Sequence, residues 1–428
     1  MTSETTQHPP THSVKPHAAF FRQSGWLMIA SIAGGLMMFG IHPLSNRIPP
    51  AEYSIFGTLL MVTAVLPTIP LQMVFAQQTA RALATHRERQ LAGMIRLAWL
   101  WLFILWVAAA VVILAFQKQI VAGWKLGGAA PLWITLATVL IALLAPMFTG
   151  VLQGKQDFFW IGWAAILGGL CRLGGAALLV LAFHLGAAGM IAGALVSTTL
   201  VAIICIWRTR DLWTLPRERF DGRGLLGQIL PLTIGFGAWQ FLFTSDTMFA
   251  KAFFTGDEMA PYVAAGILSR ATLWLVLPLA AVMFPKIVHS NAKSEKSNLM
   301  KIVLLGTAVL AICGGLGLCL VGPWVVKWFR FFPPSYIEPM KVLLPWYAAA
   351  MVPLALANVL ANDLLARGKF RVVPAMVVLA VAYGFALPFV LNHFPKRLEH
   401  ILQTLAVFNS LLLCACAWAA FGSQKSKA

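Results

Sequence analysis

Twelve apolar runs, each long enough to cross a bilayer, constrain this chain more than any other feature. About 20 apolar residues span the hydrocarbon core as a helix. Backbone polar groups find no water there, so such runs must satisfy their own hydrogen bonds as helices. The spans are expected at 21–45, 54–76, 93–116, 131–153, 157–182, 185–207, 228–252, 260–286, 301–325, 338–366, 370–392 and 398–421. The composition agrees: 60% of the chain is hydrophobic and 11% is charged, against about 25% charged in a soluble domain. Residues 1–19 are polar and lack the short apolar core and cleavage site of a signal peptide, so they read as a disordered cytoplasmic tail.

The net charge of +18 does not point to nucleic acid, because the basic residues sit in short loops between apolar runs. With the loops assigned to alternating sides, 21 Lys and Arg fall on the side of both termini and 9 on the other. The positive-inside rule then places the N- and C-termini in the cytoplasm. The two basic residues left over, Arg172 and Arg270, lie inside spans. The six cysteines lie in apolar runs without metal-ligand spacing and read as small packing residues.

The connection 208–227 holds five arginines and divides the chain near its middle. It reads as a cytoplasmic linker between an N-lobe, 20–207, and a C-lobe, 228–421, followed by a short tail at 422–428. A shift of 209 residues places Ala51, Tyr53, Gly57, Leu59, Thr63, Leu66 and Phe75 on Ala260, Tyr262, Gly266, Leu268, Thr272, Leu275 and Phe284. Six spans per lobe is an even number, so both lobes enter the membrane in the same sense, as a parallel repeat. The expected fold is all-α and integral to the membrane: twelve transmembrane helices in two six-helix lobes around a central cavity. Alternating access is the mechanism that this geometry invites.

A charge at membrane depth costs roughly 2.5–3.5 kcal/mol on insertion scales, so it faces a cavity or a partner. Helix rise puts Arg270 near the midplane, with Gly266 one turn away. Its planar fork suits a phosphate or carboxylate. Its bland alternative is a structural ion pair. Arg270→Ala is expected to abolish transport without loss of expression. Arg172, within the glycine-rich stretch 168–175, is a second candidate for anion binding, or else reaches the outer headgroups. Asp246 reads either as an ion-coupling site or as the partner of Arg270. Gln240 lies on a polar face with Thr233, Gly237, Thr244 and Thr247 and is a further substrate-binding candidate. Asp363 and Arg367 are expected to form a surface helix pair. His42 and Arg47, at the outer end of span one, carry little functional weight. No P-loop, HExxH or soluble catalytic domain occurs, so neither catalytic residues, nor a metal, nor a cofactor is expected.

Several segments carry a resemblance: Ala51-Glu-Tyr-Ser-Ile-Phe-Gly, the turn at 153–158, Leu230-Pro231, Ser245-Asp246, Tyr262 through Arg270, and Phe284-Pro285. With them the chain resembles the polysaccharide-type (Wzx-type) flippases of the multidrug/oligosaccharidyl-lipid/polysaccharide exporter superfamily. That resemblance implies a V-shaped pair of lobes around a basic cavity. It implies a lipid-linked oligosaccharide as substrate, carried to the outer leaflet for surface polysaccharide biosynthesis. Arg270 and Arg172 would grip the pyrophosphate while the polyprenyl tail stays among membrane lipids. The protein would act as a monomer beside polysaccharide polymerases and glycosyltransferases. The peptidoglycan-precursor branch usually has fourteen helices, so twelve argue against it. The alternative is a cation-coupled multidrug antiporter of the same superfamily, but span one lacks the acidic residue those proteins favour.

Overall fold

A computed structural model describes residues 16–220, 222–271 and 299–421; the two polar tails and the second half of the expected eighth span lie outside them. The described residues are helices joined by short turns. The first half comprises α1 (Pro16–Phe39), α2 (Pro50–Ala64), α3 (Thr68–Ala84), α4 (Glu88–Ala115), α5 (Gln117–Gly123), α6 (Ala130–Gly154), α7 (Phe158–Leu181) and α8 (Gly186–Arg208). A short turn of helix, α9 (Arg210–Trp213), opens the linker. The second half comprises α10 (Gly222–Phe253), α11 (256–271), α12 (Leu299–Phe329), α13 (Ile337–Ala366), α14 (Val373–His393) and α15 (Leu398–Phe421).

Ten helical stretches among the described residues are long and apolar enough to cross a membrane, with α2 and α3 together forming one of them. α10 is a further long helix, less apolar because it carries Asp246, Lys251 and several glycines and threonines. α11 begins the expected eighth span, whose remainder, 272–286, lies outside the described residues. Among the described residues the fold is thus the all-helical, membrane-spanning type that the apolar runs imply.

The expected second span is a correction in detail. It runs from Pro50 to Ala84 and is broken at Val65–Pro67. Pro67 lacks an N–H and removes a helical hydrogen bond at the break, and Pro70 follows in the first turn of α3. The linker is also shorter than 208–227, because α8 runs to Arg208 and α10 begins at Gly222.

Lipid tails are as apolar as leucine, so close packing of small residues, rather than hydrophobicity, joins these helices. A Cβ on Gly34 of α1 would run into the backbone carbonyl of Ala165 on α7, and one on Gly169 of α7 into the backbone of Gly34. Gly150 and Gly154 of α6 meet the backbone of α3 in the same way, and Gly193 of α8 meets Ala176 of α7. In the second half α13 packs on α12 and α15, and Asn409 donates to the Ala350 carbonyl at 2.8 Å. Outward faces carry the apolar side chains expected against lipid, such as Trp101, Leu320, Phe385 and Trp418.

Contacts between the halves gather on α2, α3, α10 and α11. Gly57 of α2 lies against Val263 of α11, and Ala51 against Gly256. Lys251 Nζ donates to Ser54 Oγ at 2.6 Å, Lys125 Nζ to the Phe254 carbonyl at 3.3 Å, and Asn46 Nδ2 to the Arg330 carbonyl at 3.1 Å. His42 and Tyr53 pack on Phe332, and Tyr53 also on Tyr336. These residues share one end of the helices, the end with the fewer basic loops. The deepest of these contacts is Gly237 of α10 beside Pro67, at the break between α2 and α3.

Candidate functional site

Two clusters of buried polar groups stand out, one in each half. The first is built on α10 and α11. Asp246 is fully buried and Arg270 is 5% exposed. Arg270 Nη2 donates to Asp246 Oδ1 at 2.5 Å, and its Nε to the Phe243 carbonyl at 3.0 Å. The other carboxylate oxygen accepts from the hydroxyls of Tyr262 at 2.8 Å and Tyr347 at 3.3 Å. The guanidinium lies over the rings of Phe243 and Tyr347, 5.5 and 5.8 Å from their centroids. Among the described ion pairs this one alone is buried on both sides. Gly266 makes room for the fork: a Cβ there would strike Arg270 Nη1 and the Tyr347 hydroxyl.

Of the two readings of Asp246 and Arg270, the structure therefore displays the ion pair. Both groups are saturated, the carboxylate by an arginine and two tyrosines, the guanidinium by carboxylate, carbonyl and π faces. Tyr347 from α13 had no sequence signal of its own, nor did Tyr383 from α14, which is buried with its hydroxyl unpartnered. One indirect signal existed: the chain has five tyrosines against 28 Phe and 16 Trp. All five tyrosines are buried.

The second cluster lies inside the N-terminal half, at the broken helix. A cavity of about 280 Å³ is lined by Thr63 and Leu66 at the end of α2, Thr68 and Gln72 of α3, Thr138 and Thr149 of α6, Arg172 of α7 and Thr198 of α8. Arg172 makes no hydrogen bond or ion pair with any described residue, and its Nε is buried without a partner. It lines this cavity. Arg172 and Arg270 thus belong to separate sites.

Gln240 stands one turn beyond Gly237, on the face of α10 that meets Pro67, and its carbonyl accepts from Thr244 at 2.8 Å. Asp363 pairs with Arg367 at 2.8 Å as a surface helix pair. In the 153–158 turn, Lys155 binds Asp211 at 2.7 Å and Arg208 binds Asp157 at 3.1 Å, which ties the turn to α8 and α9. His42, given little weight from sequence, is buried against Tyr53, with its Nδ1 3.0 Å from the Tyr53 hydroxyl.

Comparison with known proteins fixes the class. A family model described as "Lipid II flippase MurJ" matches residues 29–419. The chain belongs to that family. This overturns the helix-count argument against the peptidoglycan-precursor branch, because the match to that family runs from residue 29 to residue 419. Among solved structures, an inward-facing multidrug resistance MATE transporter of the MOP superfamily matches with a TM-score of 0.72 at 13% identity, over 93% of this chain and 95% of that one. A lipid II flippase MurJ in an inward closed conformation matches with a TM-score of 0.69 at 13% identity, over 93% of this chain and 87% of that one. An outward-facing MATE transporter matches with a TM-score of 0.66 at 14% identity, over 98% of this chain and all of that one. At these identities the structural likeness concerns the fold. No curated protein sequence matches the chain. The MurJ-family membership and the fold make this a multi-pass membrane protein of the flippase and transporter class.

Proposed function

We propose that this MurJ-family chain carries a polyprenyl-diphosphate-linked saccharide across the bacterial inner membrane by alternating access of its two lobes. The observation that carries this reading is the distribution of contacts between the halves. They run from Asn46 and Arg330 at one end down to Gly237 and Pro67, on helices related by the internal repeat. An interface of this kind closes one mouth of a central passage and, by repacking, opens it again. The Lys and Arg bias of the loops supports an orientation with that closed mouth outside and both termini in the cytoplasm.

Lipid II, the substrate in the family's name, is the first candidate cargo. A second reading keeps the diphosphate and exchanges the sugar for a surface-polysaccharide unit. It rests on the likeness of the segments at 51–57, 153–158 and 262–270 to the polysaccharide-type flippases. Arg172 and Gln240 supply polar groups toward the N-lobe cavity and the interface, while Asp246 and Arg270 hold α10 to α11 and link the substrate path to any ion that drives it. Polymerases and glycosyltransferases are the natural partners on the two membrane faces, and a single copy contains both lobes.

The test is mass spectrometry of polyprenyl-linked lipids from cells depleted of the protein. Accumulation of one such lipid, cleared by the wild-type chain, supports the reading and names the saccharide. Unchanged lipids with accumulation of cationic dyes would replace it with the multidrug antiporter.

A further inference from the structure

We infer that the pocket where the linker meets α3 and α4 binds the phosphodiester headgroup of an anionic membrane phospholipid, a ligand distinct from any cargo. The site lies at the end of the helices with the more basic loops, and it can be filled and emptied without transport.

The pocket exists because the linker is docked on α4. Arg96 Nε donates to the Trp213 carbonyl at 3.0 Å, and its Nη2 to the Leu215 carbonyl at 2.7 Å. The Glu218 N–H donates to the Arg89 carbonyl at 3.2 Å, and the two side chains pair at 3.7 Å. Gly93 admits this approach, since a Cβ there would strike the Glu218 carbonyl. Phe220 and Gly224 then close a pocket of about 280 Å³ against the end of α3 and the start of α4.

Its rim is cationic. Arg81 and Arg87 line it, beside Gln78, Thr85 and Gln90. Neither arginine side chain has an ion pair or hydrogen bond among the described residues. Their neighbours on this surface are already engaged: Arg89 with Glu218, Arg96 with the linker carbonyls, Lys155 with Asp211 and Arg208 with Asp157. Among the described residues no carboxylate lines the pocket. Glu88 stands in the first turn of α4, where an acid favours the helix. Basic pockets at this end of membrane helices suit phospholipid headgroups, and the arginine fork matches a phosphate.

The floor points to a lipid rather than a free anion. Ala82, Leu91 and Met94 form it and are buried. Met94 heads a stripe along α4 that continues through Leu97, Trp101 and Leu105, all exposed. An amphiphile can seat its glycerol on this floor and lay its acyl chains along that stripe. The volume falls just below the ~300–1,000 Å³ of pockets for drug-sized ligands, which leaves room for a headgroup and none for a large saccharide.

The experiment is native mass spectrometry of the purified full-length protein in neutral detergent, titrated with dioleoylphosphatidylglycerol. Dioleoylphosphatidylcholine is the zwitterionic control. The wild type should show one saturable site for the anionic lipid and none for the control. Arg81→Gln and Arg87→Gln should each weaken binding about fivefold, and together about 25-fold. Arg217→Gln with Arg219→Gln removes the same charge from exposed linker positions outside the pocket and should leave the site unchanged. Gln78→Glu guards against misfolding: it sets a carboxylate three residues before Arg81, a pairing that supports the helix, so a folded protein should bind weakly. Equal losses in the two double variants would assign the effect to bulk charge and overturn the inference. So would undiminished binding in the folded Arg81→Gln and Arg87→Gln protein. Displacement of the lipid by inorganic phosphate in excess would make this a free-anion site, and tighter binding of polyprenyl diphosphate would make it part of the cargo path; either result overturns the inference, and failure of both to compete supports it.

Discussion

Removing Asp246 should unfold the C-lobe before it alters transport. At about 4 Å and an effective dielectric of ~20, the Asp246–Arg270 attraction is worth about 4 kcal/mol. Deleting one member of a buried pair typically costs about 3–5 kcal/mol, because the other charge stays behind. Asp246→Ala leaves Arg270 with only the Phe243 carbonyl, Thr247 and two ring faces, and removes the acceptor of Tyr262 and Tyr347. We expect a loss of about 3–5 kcal/mol. Arg270→Ala should cost less, since two tyrosine hydroxyls still stabilise the carboxylate. The double variant buries neither charge and should fall well short of the sum, with a coupling of at least ~2 kcal/mol. The assay is reversible SDS unfolding from detergent micelles for the four proteins of the cycle, with flipping measured on those that fold. Additivity within ~0.5 kcal/mol would refute the structural role. So would an Arg270→Ala protein of wild-type stability that fails to transport, because Arg270 would then act on substrate directly.

Two further outcomes follow from the packing. Lys251 is buried between the lobes with a neutral partner, Ser54, so Lys251→Met should remove a desolvation cost, raise thermal stability and slow transport by favouring the closed outer end; a lowered melting temperature would show that the lysine stabilises that closure. Gly169→Val drives a branched side chain into Gly34 and Met37 of α1 and should cost about 1–3 kcal/mol, read as a fall in melting temperature with α1 made more accessible to protease.

Hydropathy made the fold legible because a bilayer leaves the backbone little choice. The short motif at residues 51–57 was visible too, but not the task of each residue. Glu52 accepts from the Ala187 N–H at 2.8 Å and so caps α8 from a different helix. Tyr53 meets His42, Ser54 meets Lys251 and Gly57 admits Val263. Ala187, Lys251 and Val263 are remote in sequence, the last two on the other lobe, and local pattern carries no information about them. Proline is common in membrane helices, so Pro67 carries little signal of its own, and only the neighbouring α6 and α7 show that the break opens onto a cavity.

The pairing of Asp246 with Arg270 failed to resolve from sequence for a geometric reason. Asp246 lies seven residues before the end of α10 and Arg270 fourteen after the start of α11, so helix rise sets their Cα atoms at depths roughly 10 Å apart. That gap leaves a pair and two independent charges equally plausible. Side-chain direction decides it. The Cα–Cβ bond of a helical residue tilts toward its own N-terminus. α10 and α11 run in opposite senses, so Asp246 leans deeper into the membrane and Arg270 leans back toward the outer end. The two lean toward each other, and the long arginine closes the remainder. The same rule applied to Arg172, on a helix that runs outward, aims it back toward the cytoplasmic half and the α2–α3 break. Direction along the helix, not depth alone, separates the arginine that meets an acid from the arginine that meets a cavity.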